Sequence, residues 1–279
     1  MAEPRRLKER DRVDPPLGGA VLDPSAAAAA FALSRHAPSP DLAPFVRHFW
    51  FIRWDRRGLP PHPQSTLTLP AVNAVVEAAQ DSVSGVWTRR FERSLEGTGA
   101  VFGCLFRPAG FCPFWGRSMH LLTDRALPFA EVFGEPPTAI RDCAFSGAPD
   151  AAILAVFEQF LRARRPALST EMAEVNRWVE AAESNPGIAQ AEALAARVGV
   201  GLRTLQRGLR SCVGIGPKQI LRRYRLLEAA SRLGRGEPVD QIDLALTLGY
   251  ADQAHFVRDF RAVVGRPPAR YATQQAPPR

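Results

Sequence analysis

Ala245-Leu-Thr-Leu-Gly249-Tyr-Ala-Asp-Gln-Ala-His-Phe256-Val-Arg258-Asp-Phe260-Arg261, closing with Gly265-Arg-Pro-Pro268, is the stretch that decides how this chain is read. Its skeleton occurs twice. Roughly fifty residues earlier Ala195-x-x-x-Gly199 matches Ala245-x-x-x-Gly249, and Leu205-x-Arg207-x-Leu209-Arg210 matches Phe256-x-Arg258-x-Phe260-Arg261. Gly214-x-x-Pro217 then matches Gly265-x-x-Pro268. Each position has a physical role in a helix-turn-helix. The small alanine lets a second helix cross closely, and the glycine takes the positive φ of a tight turn. The apolar pair four residues apart holds the second helix on the core, which turns the arginine between them outward. The closing Gly and Pro end one helix and start the next. A helical repeat of purely structural purpose would not require arginine at both equivalent positions.

Between the two copies, Ile220, Tyr224 and Leu227 recur on one face, which predicts a joining helix over 217–233. Charge is concentrated in the same region. The chain carries a net +8, and ten basic residues lie between Arg197 and Arg235 against one acid, Glu228. A solvated helix face usually mixes signs, so the cluster points to a polyanionic partner. The near absence of lysine, with only Lys8 and Lys218, fits a GC-rich genome and makes the distribution more informative than the total.

The segment Ala245 to Tyr271 resembles the signature of AraC-type transcription regulators, and Tyr224-Arg-Leu-Leu-Glu-Ala-Ala230 resembles the helix joining that family's two units. The resemblance covers about a hundred residues. It implies that two recognition helices enter successive major grooves on one face of the duplex. Arg203, Gln206 and Arg207 on the first helix, and Gln253, His255 and Arg258 on the second, match the family's base-touching positions. Ala254 offers a methyl contact to thymine. Arginine suits guanine and glutamine suits adenine. Arg210, Arg222, Arg223 and Arg261 are expected on phosphates, which hold register. Gly201 at the N-cap and Gly208 inside the first recognition helix weaken that unit; an interior glycine costs about 1 kcal/mol relative to alanine. The second unit is therefore expected to be the more rigid reader.

The N-terminal half has a different texture. Phe45 to Trp54, Ser65 to Leu69, Asn73 to Ala78, Val83 to Phe91 and Ala100 to Arg107 are rich in aromatic and β-branched residues and are broken by Gly and Pro. That pattern predicts short antiparallel strands in a sandwich or a barrel. Residues 40 to 134 resemble an uncharacterised domain seen upstream of such DNA-binding units, through Leu42-Ala-Pro-Phe-Val-Arg-His-Phe-Trp50, Leu69-Pro70, Phe106-Arg-Pro-Ala-Gly110 and Leu127-Pro-Phe-Ala-Glu-Val-Phe-Gly134. Trp50, Trp54, Trp87, Phe106 and Trp115 are either core or the lining of an apolar pocket, with Arg107 there to pair an anionic group. The helix predicted over 151–164 is either a dimer element or packs on its own sheet.

The fold class is thus α+β: a β-rich N-terminal domain, cupin-like barrel or sandwich, followed by an all-α domain with two helix-turn-helix units. A disordered leader is expected over 1–24, the regulatory or sensing domain over 25–145, a helix and linker over 146–170, the DNA-binding domain over 171–273, and a tail over 274–279. The units fall at about 188–213 and 239–263. No apolar run is long enough for a membrane span, and the charged Met1 to Arg12 has no apolar stretch behind it. His48, His62 and His120 lack metal-site spacing, and Cys104, Cys112, Cys143 and Cys212 form no C-x-x-C. No metal, no cofactor and no catalytic residue is expected. Cys112, in Phe-Cys-Pro-Phe, lacks the Pro-Cys-His-Arg context of the DNA-repair alkyltransferases, the enzyme rival. A low-specificity architectural DNA-binding protein is the other rival. The expected partners are operator or promoter DNA, RNA polymerase if the protein activates, a small-molecule effector and a second copy of the chain. The expected location is the cytoplasm, at the nucleoid.

Overall fold

The structure is a computed structural model that describes residues 21–167, 169–235 and 239–275. The expected leader and tail fall largely outside them. The leader's last residues do not: Leu22 is fully buried, its N–H donates to the Ser65 carbonyl (3.2 Å), and Val21 bridges to Thr66. An apolar side chain with a buried berth orders this end. Asp23 then caps α1 (Pro24–Ala30), accepting from the Ala26 N–H, so the alanine run is a short helix.

The strands are β1 (Ala32–His36), β2 (Val46–Arg56), β3 (His62–Thr66), β4 (Asn73–Glu77), β5 (Ser82–Ser84), β6 (Phe91–Leu95), β7 (Gly97–Phe106) and β8 (Ala126–Pro128). Six pair antiparallel in the order β1-β2-β7-β4-β5-β8, and β3-β6 is a separate ladder. Of the two architectures the sequence allowed, these ladders make two sheets, not one closed barrel. The apolar stretch Val83 to Phe91 divides: β5 ends at Ser84 and β6 begins at Phe91. Gly85, just past β5, lets the Leu122 backbone approach closely: a Cβ there would lie 2.0 Å from the Leu122 carbonyl oxygen.

Strand alternation gives the large sheet two unlike faces. Phe49, Phe51, Phe102, Cys104 and Phe106 lie on one face, against α4 (Thr138–Phe145) and α5 (Asp150–Ala163). Phe49 meets Phe157, and Phe102 meets Phe145, at 5.4 and 5.8 Å between ring centres. The buried Ile153, Phe157 and Leu161 of α5 form the helix's apolar stripe, so the sheet occupies the face that a dimer contact would have needed. The other face carries Trp50, Ile52 and Trp54, with α1 and β6 over part of it through Ala27, Ala30, Phe31 and Leu95.

Short helices α2 (Cys112–Trp115) and α3 (Phe129–Phe133), and a 3-10 turn at Met119–Leu122, link the sheets to the helical part. That part comprises α6 (Thr170–Ser184), α7 (Ala191–Val198), α8 (Leu202–Cys212), α9 (Pro217–Gly234), α10 (Gln241–Thr247), α11 (Gln253–Val264) and α12 (Pro268–Gln275). One continuous apolar core runs from the sheet through α6 and α9 to α11. A polar seam surrounds it. Arg47 grips Glu183 with both nitrogens (2.6 and 3.1 Å), and the Ala109 N–H donates to Asn176 Oδ1 (2.9 Å).

His48, 6% exposed on β2, is a buried titratable group beside this seam. Burial, with the charges of Arg35 and Arg47 adding to it, pushes its pKa down to about 3. The unfolded chain, with histidine near 6.5, therefore takes up this proton first. His48's contribution to stability is complete above about pH 6.5 and is lost as pH falls from there toward 3, at roughly 1.4 kcal/mol per pH unit. Urea unfolding at pH 7.5 and pH 5 should show a larger acid loss in the wild type than in His48→Gln. Equal losses would remove His48 from this role.

Candidate nucleic-acid interface

Two helix pairs, α7–α8 and α10–α11, have the same local construction. Gly199 and Gly249 take φ of +73° and +72° and end the first helix of each pair, a conformation that side chains with a Cβ rarely adopt. Leu205 and Leu209 in α8, and Phe256 and Phe260 in α11, are fully buried. Their placement turns Arg203, Gln206 and Arg207 of α8, and Gln253, His255 and Arg258 of α11, to the exposed side. Ala254, Arg210 and Arg261 are exposed as well. All six residues named for base contact are thus on the outer surface, and His255 also meets the Tyr250 ring edge-on at 5.2 Å.

The two units differ at their N-caps. Asp252 accepts from the His255 N–H (2.7 Å) at the start of α11, and Asp240 caps α10 in the same way. Gly201 supplies no side-chain cap to α8. Gly208, read from sequence as a weak point, has a packing reason. A Cβ there would lie 2.6 Å from the Trp178 ring and 3.3 Å from Val175 of α6. The glycine lets α8 sit directly on the indole.

Between the units runs α9, whose 18 residues span about 27 Å. Arg222 and Arg223 were both expected on phosphates, and the structure separates them. Arg222 is half-buried and bonds Asp259 of α11 (2.6 and 2.9 Å), tying the joining helix to the second recognition helix. Arg223 departs from the expectation. It is 5% exposed, and its Nη2 donates to the Trp87 carbonyl (2.6 Å) in the N-terminal part. Burial, with the charge of Arg222 adding to it, lowers its pKa to about 10. Adjacent residues on a helix point about 100° apart, so a tertiary neighbour decided which arginine stayed outside.

A cleft of about 570 Å³ lies between the units, lined by Glu192, Lys218, Arg222, Arg225, His255 and Asp259, with Ala189 to Ala191 on its rim. Arg225 stacks over the Tyr250 ring at 4.5 Å. Lys218 and Arg225 are the residues that motif reading missed. Their spacing with Arg222 along α9, at 218, 222 and 225, is the one-face signal that could have identified them.

The six residues named for an effector pocket do not converge. Trp50 and Trp54 lie on the face opposite Phe106, flat against Gly103 and Gly99, with their N–H groups donating to Asn73 Oδ1 and the Glu96 carbonyl (both 3.0 Å). Phe106 is fully buried among Phe111 and Phe114. Trp87 packs on Phe91, and Trp115 lies under the Arg117 guanidinium. Arg107 donates to the Ala43 carbonyl (2.7 Å) and Glu180 (2.9 Å), so its anionic partner lies within the chain, across the seam. Strand alternation separates the aromatics, and the interface uses the arginine.

A model described as a helix-turn-helix domain matches residues 194–274, and one described as a domain of unknown function, DUF6597, matches residues 34–128. The chain is 40% identical over 76 residues to the HTH-type transcriptional activator RhaS of Pectobacterium carotovorum, which is 27% of this chain and 26% of that protein. It therefore spans about a quarter of the length of the curated relative it matches. Among solved structures, the C-terminal domain of the response regulator AraT from Geobacillus stearothermophilus overlaps 39% of this chain and 92% of its own, at 21% identity and a TM-score of 0.36. The DNA-binding domain of AdpA in complex with a target DNA overlaps 38% and 92%, at 32% identity and 0.32. ToxT from Vibrio cholerae overlaps 88% and 98%, at 10% identity and 0.40.

The Gly208 contact gives a prediction opposite to helix propensity. Alanine at an exposed interior glycine gains about 1 kcal/mol. Here Gly208→Ala drives a methyl into the indole and should cost about 1–3 kcal/mol, read as a lower denaturation midpoint. A stabilised variant would mean that Trp178 does not rest on this helix.

Proposed function

From the premise that the C-terminal domain belongs to the AraC-type helix-turn-helix family, we propose that this chain is a sequence-specific transcription regulator that reads two successive major grooves. The observation that carries the reading is the matched pair of arginines, Arg207 and Arg258. Each stands exposed midway between two buried apolar anchors that are one helical turn apart. Arg203 and Gln206 beside the first, and Gln253 and His255 beside the second, supply the donors and acceptors that discriminate base edges. RhaS is named a transcriptional activator, and AdpA was solved on a target DNA; these names agree with a regulatory role.

Arg210 and Arg261 are assigned to flanking phosphates. Lys218 and Arg225 join Arg222 in lining the cleft between the units, where the backbone separating two adjacent major grooves would pass. Arg223 is left out of the contact set because its guanidinium is turned inward. The N-terminal sheets serve as the regulatory domain, with RNA polymerase, a small-molecule effector and a second copy of the chain as further partners. The site is one of recognition and has no reaction assigned to it. No helix among the described residues is long and apolar enough to cross a membrane.

Fluorescence anisotropy of the full chain, on DNA from upstream of its own gene and on scrambled DNA across a salt series, tests the reading. Specific binding should exceed scrambled by about a thousandfold or more. Arg207→Ala or Arg258→Ala should each cost about 1–3 kcal/mol of that discrimination, roughly 5- to 150-fold. Arg210→Ala or Arg261→Ala should weaken both DNAs alike and reduce the salt slope by about 1. If no upstream or genome-selected DNA outcompetes scrambled sequence, binding is phosphate neutralisation and the regulator reading falls.

A further inference from the structure

Two segments of the N-terminal part, residues 85–90 beyond β5 and residues 119–125 around the 3-10 turn, are bonded into one piece. The Gly85 N–H donates to the Arg125 carbonyl and the Asp124 N–H to the Val86 carbonyl, both at 3.0 Å. Asp124 also accepts from the Thr88 N–H and from Thr88 Oγ1, one bond on each carboxylate oxygen, both at 2.7 Å. Among the described residues, Asp124 is the one non-glycine with a positive φ, +55°. Such a conformation persists where the surroundings over-determine it, and these bonds do so.

This piece touches the DNA-binding part on three helices. Just past the end of α8, the Gly214 carbonyl accepts from Thr123 Oγ1 (2.9 Å), and a Cβ on Gly214 would collide with Thr123 and the Met119 carbonyl. In α9, buried Arg223 donates to the Trp87 carbonyl, while its other terminal nitrogen, Nη1, is buried with no hydrogen-bond partner. The carboxylate whose charge favours its proton is Asp124. Just past the end of α11, a Cβ on Gly265 would overlap the Arg90 guanidinium. Glu92 holds Arg90 Nε (2.7 Å), and the cation lies where the last carbonyls of α11 concentrate negative partial charge.

A shared rod, α9, fixes how far apart the two units stand. How each unit is turned about that rod depends on attachments away from it. Here both recognition helices are attached, at their C-terminal ends, to the same piece of the N-terminal domain. On the regulator reading given above, we propose that this bracket, residues 85–90 with 119–125, sets the orientation of one recognition helix against the other. The N-terminal domain thereby fixes the spacing that the protein accepts between its two half-sites, one for each unit.

Arg90, Thr88 and Asp124 are positioning residues in this scheme, acting through the ends of α8 and α11. One added base pair displaces a half-site by about 3.4 Å and turns it by about 35°. A held pair of helices cannot follow that change, so one unit loses its base contacts. A freed pair follows it in part.

Two variants of the full chain take the bracket apart. Arg90→Ala removes a partly exposed side chain and frees the α11 end. Asp124→Gly breaks both Thr88 bonds, and glycine keeps the positive φ without strain. Without DNA, hydrogen exchange is read at the Gly214 and Gly265 amides, which are bonded to the Leu209 and Arg261 carbonyls. Arg90→Ala should speed exchange at Gly265 about tenfold and leave Gly214 unchanged, whereas Asp124→Gly should speed both. A defect confined to the neighbourhood of Thr123 would not reach Gly265. With DNA, sites are selected from random duplexes. The wild type should recover two half-sites at a single spacing, with an inserted base pair lowering affinity about a hundredfold. Both variants should recover the same half-sites over several spacings, with the insertion lowering affinity about tenfold or less. Unchanged exchange at Gly265 in both variants, a single spacing retained by both, or mixed spacings already in the wild type would each overturn the proposal. If Asp124→Gly does not fold, Arg90→Ala decides the matter by the same two readouts. The exchange measurement contains no DNA, so failure of the bracket is distinguishable from failure of the regulator reading.

Discussion

Ten of the eighteen residues of α9 are buried, on every side of the helix, and Tyr224 near its middle is fully enclosed. A helix buried all round must have partners all round. The partners of α9 are α6, α7 and α8 on the first unit's side, α12 on the second unit's side, and the N-terminal part through the bond of Arg223 to Trp87. This constraint organises the molecule. Two short helix pairs, each too small to bury a core of its own, are fixed at a set separation because they share one rigid apolar rod. A recognition helix of eleven or twelve residues would be marginal in isolation; here its inner stripe is held by the core and its outer face is left to polar side chains.

The same burial couples the N-terminal part to the reader. Apolar packing is non-directional, so the continuous core alone would tolerate sliding of one part over the other. The polar seam supplies the direction. Arg47 with Glu183, Arg107 with Glu180, Asn176 with the Ala109 N–H, Thr123 with Gly214 and Arg223 with Trp87 each satisfy a group on one side with a group on the other. Bidentate and charge-assisted bonds of this kind have narrow geometry. Displacing the N-terminal part would leave several buried groups unpaired, the costly direction of hydrogen-bond accounting. The seam is therefore a place where a change on the sheet side can be transmitted to α8.

Much of the outward-facing chemistry was legible before any coordinates, since the repeat places its arginines by helical geometry alone. Leu205 and Leu209 face inward, so Arg207 between them must face outward, and the argument carries to Phe256, Phe260 and Arg258. What could not be read was the fate of residues whose surroundings come from remote segments. Arg222 and Arg223 look equivalent in sequence, yet one bonds Asp259 at the surface and the other enters the seam. Gly208 looked like a defect until Trp178, thirty residues earlier in the chain, was found resting on it. The N-terminal aromatics were grouped by type, whereas the pleat sends Trp50 and Phe106 to opposite faces.

The sequence by itself determined the helix-turn-helix pairs, the joining helix, the outward sets on α8 and α11, and the β-rich character of the N-terminal half. These follow from short-range periodicity, from glycine's access to positive φ and from local charge density. The tertiary structure alone decided that the strands form an open six-stranded sheet with a separate ribbon, that the apolar stripe of α5 belongs to that sheet, and that Arg107 and Arg223 are interface residues. Those outcomes depend on which distant side chain fills a given space or satisfies a given polar group, and no local pattern in the chain encodes that.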